Sequence, residues 1–130
     1  MNILFVCKHN RFRSQVADAY FRKINKNKSI KSYSAGIFIG TNIAKTTKKV
    51  GKKLGIKISG KPKGISEKLL KKIDLIVIVA DDIPEQLFEG KVKKIMVWKI
   101  RDTSQSDSVG VEEISRQIMK KVEELNKILK

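Results

Sequence analysis

The 130-residue chain is 41% hydrophobic and 32% charged, which fits one soluble globular domain over 1–130 with a core large enough to need neither disulfides nor metal. No apolar run nears the ~18 residues that span a bilayer, no signal-peptide pattern opens the chain, and one cysteine permits no internal disulfide, so a cytoplasmic setting without membrane contact is expected. A net charge of +16 with one histidine and one cysteine invites polyanion contacts and argues against a structural zinc site.

Residues 2–7 form an apolar run ending in Val6-Cys7, which reads as a central parallel strand buried on both faces. A helix is predicted over 13–26, with Val16, Ala17, Tyr20, Phe21 and Ile24 on its inner face. A polar turn at 25–29 leads to a strand at 30–35 stopped by Gly36. Ile37-Phe38-Ile39-Gly40 has neither helical nor strand periodicity. The next helix is expected to start at Thr41 or Asn42, either of which can cap it, and to stop at Gly55.

Residues 56–64 read as a loop, and Ser66 with Glu67 opens a short helix through 72. The stretch 73–80 is the strongest strand pattern in the chain, and Asp81 and Asp82 are expected to cap the short helix or turn that follows. A fourth strand over 94–98, a polar loop over 99–108 and a helix over 109–129 complete the order. Strands and helices alternate, so the expected fold is a three-layer α/β architecture, a parallel sheet with helices on both faces. Ligands in such sheets bind beyond the carboxyl ends of the strands, the edge on which the loop after Cys7 lies.

That loop, Cys7-Lys8-His9-Asn10-Arg11-Phe12-Arg13-Ser14, holds the only cysteine and the only histidine. Backbone N–H groups of a tight loop and the start of a helix converge on an anion. Arg13 can return over it with a planar fork that meets two oxygens. A helix terminus contributes at most ~2 kcal/mol toward a thiolate, so loop N–H donors, Arg13 and the Ser14 hydroxyl must supply the rest. Such chemistry also needs a carboxylate on the same sheet edge. Asp102 and Asp107 both lie in the loop after the fourth strand, with Asp102 favoured.

The stretch from Val6 to Gln15 resembles the signature of low-molecular-weight protein tyrosine phosphatases and the related thioredoxin-coupled arsenate reductases. The matching residues are Cys7, Asn10, Arg13 and Ser14. Ser34-Ala35-Gly36, Gly55 to Ser59, Ala80-Asp81 and Ile100-Arg101-Asp102 extend the resemblance over nearly the whole chain. It implies a four-stranded parallel sheet of the phosphotyrosine protein phosphatase I type. It also implies hydrolysis of a phosphomonoester through a phosphocysteine, with no metal or other cofactor. Phosphorylated protein or a small aryl phosphate would be the substrate. Cys7 would be the nucleophile, Arg13 the transition-state ligand and Asp102 the general acid. Lys8, His9, Asn10, Arg11, Phe12 and Ser14 would form the phosphate-binding loop; in it Asn10 would hold the loop's shape and Ser14 would bond the sulfur.

The chain departs from that pattern in places. Thr103 stands where the family usually has proline, and Ser104-Gln105-Ser106 replaces the aromatic residues that flank a tyrosyl ring. Phe38 could supply an aromatic wall or pack over the sheet edge. Lys8 and Arg11 should make the entrance cationic. The relay cysteines of the arsenate reductases are absent, so arsenate reduction, the alternative activity, would need an external thiol. Lys57 replaces an acid that helps some relatives bind potassium, and its ammonium could substitute for that cation or simply be solvated. A non-catalytic module binding phosphate or nucleic acid is the third reading. The thiol argues against it, as do the one tryptophan and two tyrosines available for stacking.

Overall fold

The computed structural model describes residues 1–40 and 42–129. Strands β1 (Asn2–Cys7), β2 (Lys31–Gly36), β3 (Leu75–Val79) and β4 (Lys94–Trp98) alternate with helices α1 (Arg13–Ile24), α2 (Lys45–Lys53), α3 (Glu67–Lys71) and α4 (Ser108–Ile128), and a 3-10 turn spans Glu85–Phe88. All neighbouring strands are parallel, in the order β2-β1-β3-β4. β1 and β3, the apolar runs, take the two central places. Their side chains alternate between faces as the pleat requires. Ile3, Phe5, Val77 and Val79 pack with residues of α1 and α4, whereas Leu4, Val6, Ile76 and Ile78 pack with Leu70, Ile73, Ile83 and Phe88. Among the described residues no helix is long and apolar enough to cross a membrane.

Two local differences from the sequence reading have physical causes, while the expected stop at Gly55 stands. α2 begins at Lys45 behind Ala44, which caps it with no side-chain bond. The Asn42 carbonyl instead accepts from the Arg11 side chain, and Thr41, the other expected cap, lies outside the described residues. Asp81 and Asp82 cap nothing, since Pro84 precedes the 3-10 turn. At the end of α2 Gly55 takes φ 79°, the left-handed stop that glycine adopts at least cost.

The stretch 37–40 has a role that periodicity did not show. It runs beside the cysteine loop beyond the end of the sheet. Ile37 N donates to Cys7 O (3.1 Å), Phe38 N to Lys8 O (2.9 Å) and Gly40 N to His9 O (3.2 Å). The approach requires a glycine at its start, because a Cβ on Gly36 would sit 2.7 Å from the His9 carbonyl carbon and 2.8 Å from Asn10 N.

Candidate active site

Between β1 and α1 the chain turns within five residues, 8–12. The carbonyls of Cys7, Lys8 and His9 are taken by the 37–40 stretch, whereas the N–H groups of Lys8 to Phe12 find no acceptor among the described residues. The loop therefore presents donors and spends its acceptors elsewhere, the polarity that suits an anion. Its reversal occurs at Asn10, fully buried with φ 56°, a left-handed conformation that asparagine tolerates better than most residues. The Asn10 side chain holds three elements together. Nδ2 donates to Ser14 Oγ (2.7 Å), and Oδ1 accepts from Gln15 Nε2 (3.0 Å) and from Lys63 N (2.9 Å).

Cys7 is buried, with Sγ 3.0 Å from Ser14 Oγ and 3.4 Å from Ser14 N. Ser14 Oγ accepts from Asn10 and keeps a hydrogen that it can donate to the sulfur. Ser14 Oγ and Ser14 N thus both stand within hydrogen-bonding reach of Sγ.

Arg13 is 2% exposed yet sits among carboxylates. Nη1 donates to Ile100 O (2.8 Å) and lies 3.7 Å from Asp81 Oδ1. Nη2 lies 3.3 Å from Asp82 Oδ1 and 3.8 Å from Asp102 Oδ2. Asp81 and Asp82, expected to cap a helix, instead hold this guanidinium. A buried arginine needs such partners, since an unpaired charge there costs several kcal/mol.

Across from the cysteine, the 99–107 loop separates the two candidate acids. Asp107 is the N-cap of α4: Oδ1 accepts from Gly110 N (2.9 Å) and Oδ2 from Thr103 Oγ1 (2.9 Å). These bonds, the backbone N–H first, hold its carboxyl below the usual carboxylate value. Asp102 is half exposed and accepts from Thr103 N (2.9 Å). It lines a cavity of about 200 Å³ together with Cys7 and Arg13, whereas Asp107 does not. Lys8, His9, Arg11 and Phe12 line the same cavity, with Thr103, Ser104 and Gln105 on the far wall. The far loop is also pinned to α2, since Thr46 Oγ1 donates to Gln105 O (2.6 Å) and Thr47 Oγ1 to Gln105 Oε1 (2.7 Å).

Two sequence expectations lie away from the cavity. Phe38 does not line it; the ring is 58% exposed and stands 6.0 Å from that of His9. Lys57 is exposed, and the ion pair at Asp18 is made by Arg22 (3.0 Å), with Ser32 Oγ donating to the same carboxylate at 2.5 Å. The sequence reading passed over Gln15, Lys63 N and Ile100 O, which meet the loop from 5 to 87 positions away in sequence. Only the two glycines at 36 and 40 hinted that another segment approaches closely.

The described geometry has counterparts in known proteins. An arsenate reductase from Archaeoglobus fulgidus is 28% identical, with a TM-score of 0.80 over 96% of this chain and 98% of that one. A low molecular weight protein tyrosine phosphatase from T. tengcongensis is 24% identical, with a TM-score of 0.86 over 98% of both chains. The YwlE arginine phosphatase from Geobacillus stearothermophilus is 20% identical, with a TM-score of 0.84 over 98% of this chain and 92% of that one. Below a quarter identity these likenesses speak for the fold alone. The family model for low molecular weight phosphotyrosine protein phosphatase matches residues 2–129, and the chain belongs to that family of phosphatases.

Proposed function

We propose that this protein is a cytoplasmic, metal-independent phosphomonoester hydrolase that acts on phosphotyrosyl protein through a phosphocysteine. The observation that carries this reading is that Cys7, bonded behind the loop to the Ser14 side chain and through it to Asn10, lines one cavity together with Asp102. The phosphate would lie in the loop, its oxygens taking the N–H groups of residues 8–12 and the fork of Arg13. Cys7 Sγ attacks phosphorus, the P–O bond to the leaving group breaks, and Asp102 in its acid form gives that oxygen its proton. Asp102, now a carboxylate, takes a proton from water as the water oxygen attacks the phosphocysteine. The P–S bond breaks, phosphate leaves, and the Ser14 hydroxyl bonds the departing thiolate.

Hydrolysis of a chromogenic aryl phosphate in the presence of EDTA tests this scheme. Cys7→Ser is expected to abolish turnover, and Asp102→Ala to lower kcat by about 10²–10⁴. Asp107→Ala, which loosens the loop but leaves Asp102 in place as the acid, should lower kcat by about tenfold at most. Full activity in Cys7→Ser would remove the mechanism; a larger loss in Asp107→Ala than in Asp102→Ala would reverse the assignment of the acid.

A further inference from the structure

Arg11 is the arginine whose charge the fold leaves unpaired. Arg13, Arg22, Arg101 and Arg116 each stand against a carboxylate, whereas Arg11 has none among the described residues. It is nonetheless held in place. Its Nε donates to Asn42 O (2.7 Å), and its stem lies against Gly40, where a Cβ would come 2.7 Å from Arg11 Cδ. With Nε occupied, the terminal nitrogens have no partner among the described residues, and Arg11 lines the cavity. The loop N–H groups and Arg13 already answer a phosphate in the cavity. The Arg11 fork is therefore suited to a second anionic group.

Resting on the hydrolase reading above, we infer that Arg11 selects phosphotyrosyl polypeptide segments in which an aspartate or glutamate flanks the phosphorylated residue. Lys8 and His9 stand beside it on the same wall, and the net charge of +16 draws acidic chains to the surface. A polypeptide rather than a compact bisphosphate is indicated by the neighbouring surface. Phe38 and Ile39, 58% and 73% exposed, belong to the stretch that runs beside the phosphate loop. They offer apolar area outside the cavity that a peptide covers and a small molecule does not.

The test is binding of fluorescent phosphotyrosyl peptides, identical except for Asp, Ala or Lys beside the phosphotyrosine, to full-length Cys7→Ser protein. The Asp peptide should bind about tenfold tighter than the Ala peptide, as one charged fork contact allows. Adding Arg11→Gln should shrink that ratio to within about twofold. Lys120→Gln, an equal charge change at an exposed position on α4, should leave the ratio intact. Equal affinity for the Asp and Ala peptides, survival of the ratio in Arg11→Gln, or an equal fall in Lys120→Gln would each overturn the inference. Dependence on Arg11 for a compact bisphosphate but not for peptides would overturn the peptide assignment. The readout is a ratio of affinities and needs no turnover. Aryl phosphate hydrolysis by the wild-type chain, run in parallel, therefore reports separately on the hydrolase reading.

Discussion

Behind one wall of the cavity Cys7, Asn10, Ser14 and Gln15 are buried and joined by side-chain hydrogen bonds that reach β1, α1 and the 61–63 segment, and Arg13, next to Ser14 in sequence, is buried as well. On the other wall Asp102 is half exposed, and its carboxylate accepts one hydrogen bond, from the next residue's N–H, with Arg13 at ion-pair distance. The first wall is part of the core and should be as rigid as the core. The second is a surface loop whose fastenings include Gln105 to α2 and Asp107 to α4. A nucleophile must be aligned before substrate arrives, and the network around Cys7 can supply that alignment. A proton donor must reach a leaving group outside the loop, and an exposed carboxylate on a tethered loop is suited to that.

The sharpest way to break this contrast is Asn10→Ala. It removes three hydrogen bonds, two of them buried, and puts alanine at φ 56°. A loss of about 3 kcal/mol in urea unfolding is expected, along with loss of most turnover. A change under 1 kcal/mol would mean that the first wall is not part of the core in the energetic sense. Gln105→Ala probes the other wall. It deletes the acceptor of Thr47 while leaving the main-chain bond to Thr46. Stability should fall by about 1 kcal/mol or less, while kcat falls about tenfold through misplacement of Asp102. Equal losses in stability and rate would deny the loop its separate role.

Asp107→Asn gives the smallest effect, visible as a pH dependence. The folded state holds the Asp107 carboxyl below its ordinary value of 3.8, so it binds that proton less tightly than the unfolded chain does. The ionised cap therefore stabilises the fold above about pH 4, and the contribution fades as pH falls through the lowered folded value. In thermal unfolding from pH 7 to pH 2, wild type should stand above Asp107→Asn at neutral pH and converge with it in acid. A gap that stayed constant would show that the carboxylate charge contributes nothing.

Much of the architecture was legible because its causes are local. The buried runs 2–7 and 73–80 could only be central strands, and the apolar stripe from Ile114 to Leu125 could only face a core. Strand ends still shifted: the run expected over 73–80 pairs only as Leu75–Val79, with Ile73 and Ala80 buried just beyond it. The cysteine loop was legible for the same reason, since a strand end, a short polar turn and a helix start adjoin in sequence. Its partners were not. Asp81 and Asp82 read as helix caps and prove to be partners of Arg13, because a carboxylate carries no label for its donor. Asp102 and Asp107 share one loop, and although the sequence favours Asp102, it is the start of α4 that engages Asp107 as a cap.

The sequence by itself determined the order of elements, the two-sided burial of β1 and β3, and the grouping of thiol, hydroxyl and guanidinium within one turn. Those follow from periodicity and from neighbours along the chain. The tertiary structure decided that 37–40 would consume the loop's carbonyls, that three aspartates would surround Arg13, and that Gly40 and Asn42 would fix Arg11 at the cavity wall. Those contacts join residues 29 to 89 positions apart, and the strand order β2-β1-β3-β4 is what brings them together. Hydrophobic patterning reports that a residue is buried, whereas a hydrogen-bond partner is fixed by geometry that only the packed sheet creates.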